Sequence, residues 1–125
     1  MRSYIRILIE EKRKWYKTIG TRFCPAIQSH VVFNALGFHH LTYSGSGERR
    51  NDIEILRRVK LLSLAISVIC QTQNVSKYSS ETNKQGKIIE YWKLEKKFKG
   101  LEMTVTVILR RIGKGNIIFY SIWDK

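Results

Sequence analysis

Two hydrophobic periods divide this chain. In two stretches before residue 70, Ser3 to about Thr18 and about Asn51 to Ile69, the apolar side chains return every three or four positions, which is the stripe of a helix; after residue 86 they fall in alternating β-branched and aromatic runs, which is the pattern of strands. Helices first and a sheet last make an α+β domain. With 125 residues, 43% of them hydrophobic and a single proline, the chain has the size of one domain and enough apolar matter for a real core.

In the first segment (1–20), Tyr4, Ile5, Leu8, Ile9 and Trp15 predict an amphipathic helix from Ser3 to about Thr18 that Gly20 ends. In the second (21–70), Ala26–Phe33 reads as a strand, Asn34 as the cap of a short helical turn carrying ALGFHHL, and Tyr43–Arg50, with two glycines and two serines, as a mobile loop. Ile53, Leu56, Val59, Leu62, Leu64, Ala65, Val68 and Ile69 then predict a helix capped by Asn51, with Ser63 a candidate bend. Gln71–Gly86 reads as a polar connector. The third segment (87–125) predicts an antiparallel meander of Lys87–Phe98, Leu101–Ile112 and NIIFYSIW, so that helices pack on a three-strand sheet joined by a fourth strand. Alternation places Met103, Val105, Val107 and Leu109 on one face of the middle strand. In the last strand it leaves two sets open: Ile117, Phe119, Ser121 and Trp123, or Ile118, Tyr120, Ile122 and Asp124.

Charge narrows the partners. Lys and Arg number 23 against 10 Asp and Glu, a formal charge of +13, and such a surface repels itself unless a polyanion is bound. No apolar run reaches the roughly 18–20 residues of a membrane-spanning helix, and the opening segment does not read as a signal peptide, so the expected setting is the cytoplasm with no membrane partner. Cys24 and Cys70 are too few and too far apart for a metal cluster, and the expected cofactor and metal complement is none.

The densest chemistry lies in GFHHLTYSGSGERRNDIEILRRVKLL, from Gly37 to Leu62. Histidine carries protons near neutral pH, and arginine offers a planar fork of donors matched to phosphate oxygens. His39, His40, Arg49 and Arg50 are therefore the candidate catalytic set, and Arg58 and Lys60 are candidates for guiding RNA. Arg110 and Arg111 are neighbours on one strand, so at most one of them joins a site on that sheet face. Tyr91, Trp92 and Trp123 are candidates for stacking on bases, against ordinary packing. His30 has no evident partner.

On these residues the chain resembles the BECR nucleases, the group named for barnase, EndoU, the colicins and RelE, in a phage-type form. The matching elements are His40–Leu41, an arginine after a glycine-containing loop (Arg49 or Arg50), the helix RRVKLLSLAISVI and the carboxyl-terminal VTVILRRIGKGNIIFYSIWDK. The resemblance implies helices packed on a four-stranded antiparallel sheet and metal-independent RNA cleavage through a 2′-hydroxyl attack. It further implies His40, with His39 as the alternative, as proton carrier, and an arginine, Arg50 before Arg49, as electrostatic clamp. Ser121 matches the phosphate-touching position near the chain end; Tyr120 takes that place if the register shifts by one. RNA is then the expected partner, and an acidic antitoxin or immunity protein the expected companion of a toxin or phage-related effector. The rival readings are a non-catalytic RNA-binding domain and a basic module that docks an acidic protein.

Overall fold

The computed structural model describes residues 2–125, so that Met1 of the expected first segment lies outside the described residues. Its elements are α1 (Arg2–Tyr16), β1 (Thr21–Cys24), β2 (Ser29–Val32), α2 (Ala35–Thr42), α3 (Asp52–Gln71), β3 (Lys77–Thr82), β4 (Ile88–Phe98), β5 (Met103–Ile112) and β6 (Ile118–Asp124). The architecture is α+β, as the change of period predicts.

Both expected caps form, and they fix where the middle helices begin. Asn34 accepts from the Gly37 N–H at 3.3 Å and Asn51 from the Glu54 N–H at 2.8 Å, each satisfying a donor that the first helical turn leaves unpaired. Asp52 and Glu54 stand in the first turn of α3, at the positive end of its dipole. α3 runs unbroken past Ser63, whose hydroxyl donates to the Lys60 carbonyl.

One face of α3 (Ile55, Val59, Leu62, Ala65, Ile69) is fully buried in the same core as Leu94, Val105, Val107, Leu109, Phe119 and Ile122 of the sheet. At some 1.5–3 kcal/mol for each large apolar side chain taken out of water, this layer is the main source of stability. A second apolar group joins α1 to it: Tyr16 packs against Phe33, Phe38 and Phe119, with ring centroids 5.9, 5.2 and 6.2 Å away. The Tyr16 hydroxyl donates to the Asn34 carbonyl at 2.6 Å, so a buried phenol is satisfied and the end of α1 is tied to the start of α2.

The sheet departs from the expected four antiparallel strands. It has six, in the order β1-β2-β6-β5-β4-β3. β3 to β6 form an antiparallel meander, β1 and β2 form a hairpin, and β2 joins β6 in parallel. The expected Ala26–Phe33 strand is cut back to Ser29–Val32 and gains an unexpected partner, β1, because Pro25 opens a 3-10 turn through Ile27 and Gln28 takes φ 51, which reverses the chain so that Cys24 pairs with Ser29. The expected connector Gln71–Gly86 contains β3, the outermost strand. All six of its residues are exposed, so it has no buried face to print a period on the sequence and is held to β4 through its backbone.

β6 breaks both expected face sets. Ile108 pairs with Ser121 and Leu109 with Phe119, which leaves Tyr120 as the extra residue of a β-bulge. Phe119 and Ile122 both point into the core with no exposure, three positions apart, and Tyr120 and Ser121 are both displaced to the other face.

β2 and β6 share one register pair, Val32 and Ile118, so the rest of that β6 edge is left by β2 and covered by helices. α2 comes so close that a Cβ on Gly37 would collide with the Phe119 carbonyl oxygen and stand 2.7 Å from the Tyr16 hydroxyl. Among the described residues, no helix is long and apolar enough to cross a membrane.

Candidate functional site

His40, Arg58, Arg110, Tyr120 and Ser121 meet where α2 and α3 reach the β6 edge that β2 leaves. Arg110 pairs with Tyr91 and Ile108 with Ser121 across the strands, while the intervening Leu109 is in the core. Tyr91, Arg110 and Ser121 therefore share the face away from α3's apolar packing, and the bulge adds Tyr120.

α2 presents its two adjacent histidines to different surroundings. His40 is 9% exposed and its ring lies 4.2 Å from that of Tyr120. The Arg110 guanidinium lies 4.3 Å from the same Tyr120 ring, and the Tyr91 ring is 6.0 Å from it. Burial first, then the positive charge of Arg110, His39, Arg50 and Arg58, holds the His40 imidazole below its ordinary pKa. Near neutral pH it is an uncharged base in a cationic setting. His39 is exposed, stacked on Tyr43 at 4.5 Å, with its ring 6.3 Å from that of His40.

Of the arginine pair, Arg50 turns inward. Its Nε donates to the His40 backbone carbonyl at 2.9 Å, so it braces the end of α2 and acts on the imidazole through its charge. Burial and the neighbouring Arg58 charge lower its own pKa. Arg49 turns outward, 3.1 Å from Asp52, and lines a groove with Ile5, Arg6, Ile9 and Glu10 of α1. The loop carrying both arginines is closed by a Tyr43–Arg49 bridge and by the Arg50 N–H on the Thr42 carbonyl at 2.7 Å.

Arg58 is the residue whose role the sequence hid. Its Nε donates to Glu54 at 2.6 Å, and its Nη1 donates to Ser121 Oγ at 3.1 Å and to the Ile122 carbonyl at 3.0 Å. The Glu54 carboxylate is held below the usual carboxylate range, first by that Arg58 hydrogen bond. With an Arg58 N–H on one lone pair, Ser121 keeps its own O–H for another acceptor. The Glu54–Arg58 spacing of four on a helix was the available signal; its link to Ser121 was not in it. Lys60, two residues on and so about 200° round the helix, is exposed and is not brought to the cluster.

Arg110 and Arg111 part as strand geometry requires. Arg111 bonds Glu90 at 2.6 and 2.8 Å on the other face. Arg110 keeps a buried Nε with no partner among the described residues, and it lines a cleft with Asn34, Leu36, Asn116 and Ile118. Trp92 packs on the core under Arg111, and His30 pairs with Phe23 at 5.3 Å near the far edge of the sheet.

Around the cluster, three guanidiniums face one carboxylate, beside a neutral imidazole and a hydroxyl. That set can bind a phosphodiester and move a proton on it. Among the described residues no three His, Cys, Asp or Glu side chains gather as a metal ion would need. Compared with protein-family models, curated proteins and solved structures, the chain matches none.

Proposed function

We propose that this protein is an endoribonuclease of BECR-like fold that cleaves RNA without a metal, by attack of the ribose 2′-hydroxyl on the adjacent phosphorus. The observation that carries the reading is the meeting of the His40 ring and the Arg110 guanidinium on Tyr120, next in the chain to Ser121, which Arg58 holds. Neutral His40 takes the 2′-hydroxyl proton; the 2′-oxygen–phosphorus bond forms while the bond to the 5′-oxygen breaks, leaving a 2′,3′-cyclic phosphate. Ser121 donates to a non-bridging oxygen, Arg110 and Arg50 offset the growing negative charge, and Tyr120 protonates the departing 5′-oxygen. Arg58 holds Ser121 rather than gripping the phosphate.

The reading extends to a cytoplasmic toxin or phage-related effector whose +13 charge draws RNA and, when the protein must be silenced, an acidic antitoxin or immunity protein. The test is incubation of pure protein with RNA in a chelator. Cyclic-phosphate ends are expected, with His40→Ala slower by about 10²–10⁴-fold and His39→Ala close to wild type. Cutting that survives loss of both histidines ends this mechanism. RNA that is bound with a steep salt dependence but left whole means a non-catalytic RNA-binding domain instead.

A further inference from the structure

We infer that the cleft between α3 and the end of β6 is a nucleobase subsite, with Trp123 as its stacking platform. The cleft holds about 360 Å³ and is lined by Glu54, Arg57, Arg58, Leu61, Trp123 and Asp124, a size within the range of small-ligand sites.

Position supports the assignment first. Ser121 and Trp123 pair with Ile108 and Thr106 of β5, so they stand on one face of regular strand, roughly 7 Å apart along it. That is about the reach from a phosphate to the base of its own nucleotide. Arg58 joins the two places, since its Nη1 bonds Ser121 Oγ while its side chain forms a wall of the cleft.

The state of the indole supports it second. Trp15 lies under Lys12 at 5.5 Å, and Trp92 is taken by Arg111 and Tyr78. Trp123 is partly exposed, and among the described residues the aromatic and cation–π pairs involve other rings. Stacking on an aromatic face accepts any base, because every base has a π-surface. Arg57 is paired with Asp124 at 2.7 Å at the rim and Arg58 with Glu54 at 2.6 Å, so the charges of the lining balance and the cleft suits an uncharged base better than a phosphate.

This inference takes from the ribonuclease reading what the subsite serves, but its test is a binding measurement. The probe is a 2′-O-methyl hexaribonucleotide, which has no 2′-hydroxyl to attack with, and a set of the same hexamer with one abasic residue moved along it. Wild-type protein is expected to lose about tenfold or more in affinity when the abasic residue occupies one particular position. Trp123→Ala loses the same factor on the intact hexamer and no longer senses the abasic residue, whereas Trp123→Phe keeps most of the affinity. Equal binding by wild type and Trp123→Ala, losses that simply multiply, or no binding of the hexamer by wild type overturns the subsite. Failure of the nuclease reading is seen separately, as unmodified RNA left whole by a protein that still shows the abasic pattern.

Discussion

Arg58 and Ser121, 63 positions apart in the chain, are joined by a 3.1 Å hydrogen bond from Arg58 Nη1 to Ser121 Oγ. The same guanidinium holds Glu54 and the Ile122 carbonyl, so its Nε and Nη1 are engaged with protein acceptors. Arg58→Ala is expected to cost about 1–3 kcal/mol in urea unfolding, because it strands partly buried acceptors. On RNA it is expected to lower kcat with KM little changed, and Arg58→Lys, which lacks the fork, recovers only part. A rise in KM at constant kcat would instead make Arg58 a phosphate grip.

The lowered pKa of His40 fixes the sign of two pH effects. The unfolded chain takes up a proton on this histidine before the folded one does. Its contribution to stability is therefore whole above the ordinary histidine value of about 6.5 and is lost as pH falls from there through the folded value. As a base it works when neutral, so cleavage falls on the acid side. Arg110→Gln removes the largest neighbouring charge on His40 and is expected to move both its NMR titration and the acid limb of the rate profile to higher pH. An unmoved titration refutes this electrostatic account.

Gly37 is required by contact, not by backbone angle. Gly37→Ala puts a methyl group against the Phe119 carbonyl and the Tyr16 hydroxyl, and overpacking of this kind costs about 1–3 kcal/mol. The chevron or equilibrium midpoint in urea reads the loss. Because α2 must shift to admit the methyl group, His40 moves with it and cleavage falls more than stability alone explains. A variant as stable as wild type shows that α2 is not held at this point.

Arg110 and Lys60 offer a matched comparison of charge inside and outside the cluster. Arg110→Ala is expected to reduce the slope of log affinity against log salt for single-stranded RNA by about 0.7, the share of one phosphate contact. Lys60→Ala, on the exposed side of α3, leaves that slope unchanged. Equal effects from the two would place the RNA on a diffuse basic surface.

Legibility in the sequence followed from how local each signal is. α2 and α3 were readable because Asn34 and Asn51 cap through bonds to residues three positions on. The β4–β5–β6 meander was readable because a half-buried strand writes an alternating pattern. β3 was not, since an edge strand exposed on both faces has no apolar period, and β1 was not, since its pairing with β2 depends on a left-handed Gln28. Among the site residues, the residue types singled out the His39–His40 and Arg49–Arg50 pairs, Ser121 entered only through the family resemblance, and nothing local ranked Arg58 above Lys60 or turned Arg49 away toward α1.

The sequence by itself determined the class of fold, the helix starts and the cationic character, because periodicity, capping and charge are properties of neighbours along the chain. Tertiary structure alone decided the site. The Tyr120 bulge exists only against Ile108 and Leu109 of the partner strand, and it is this extra residue that sets Tyr120 and Ser121 on one face. The β6 edge that α2 and α3 reach is theirs only because β2 leaves after a single pair. Pairing between distant segments is an energy of the folded whole, and no local pattern records it.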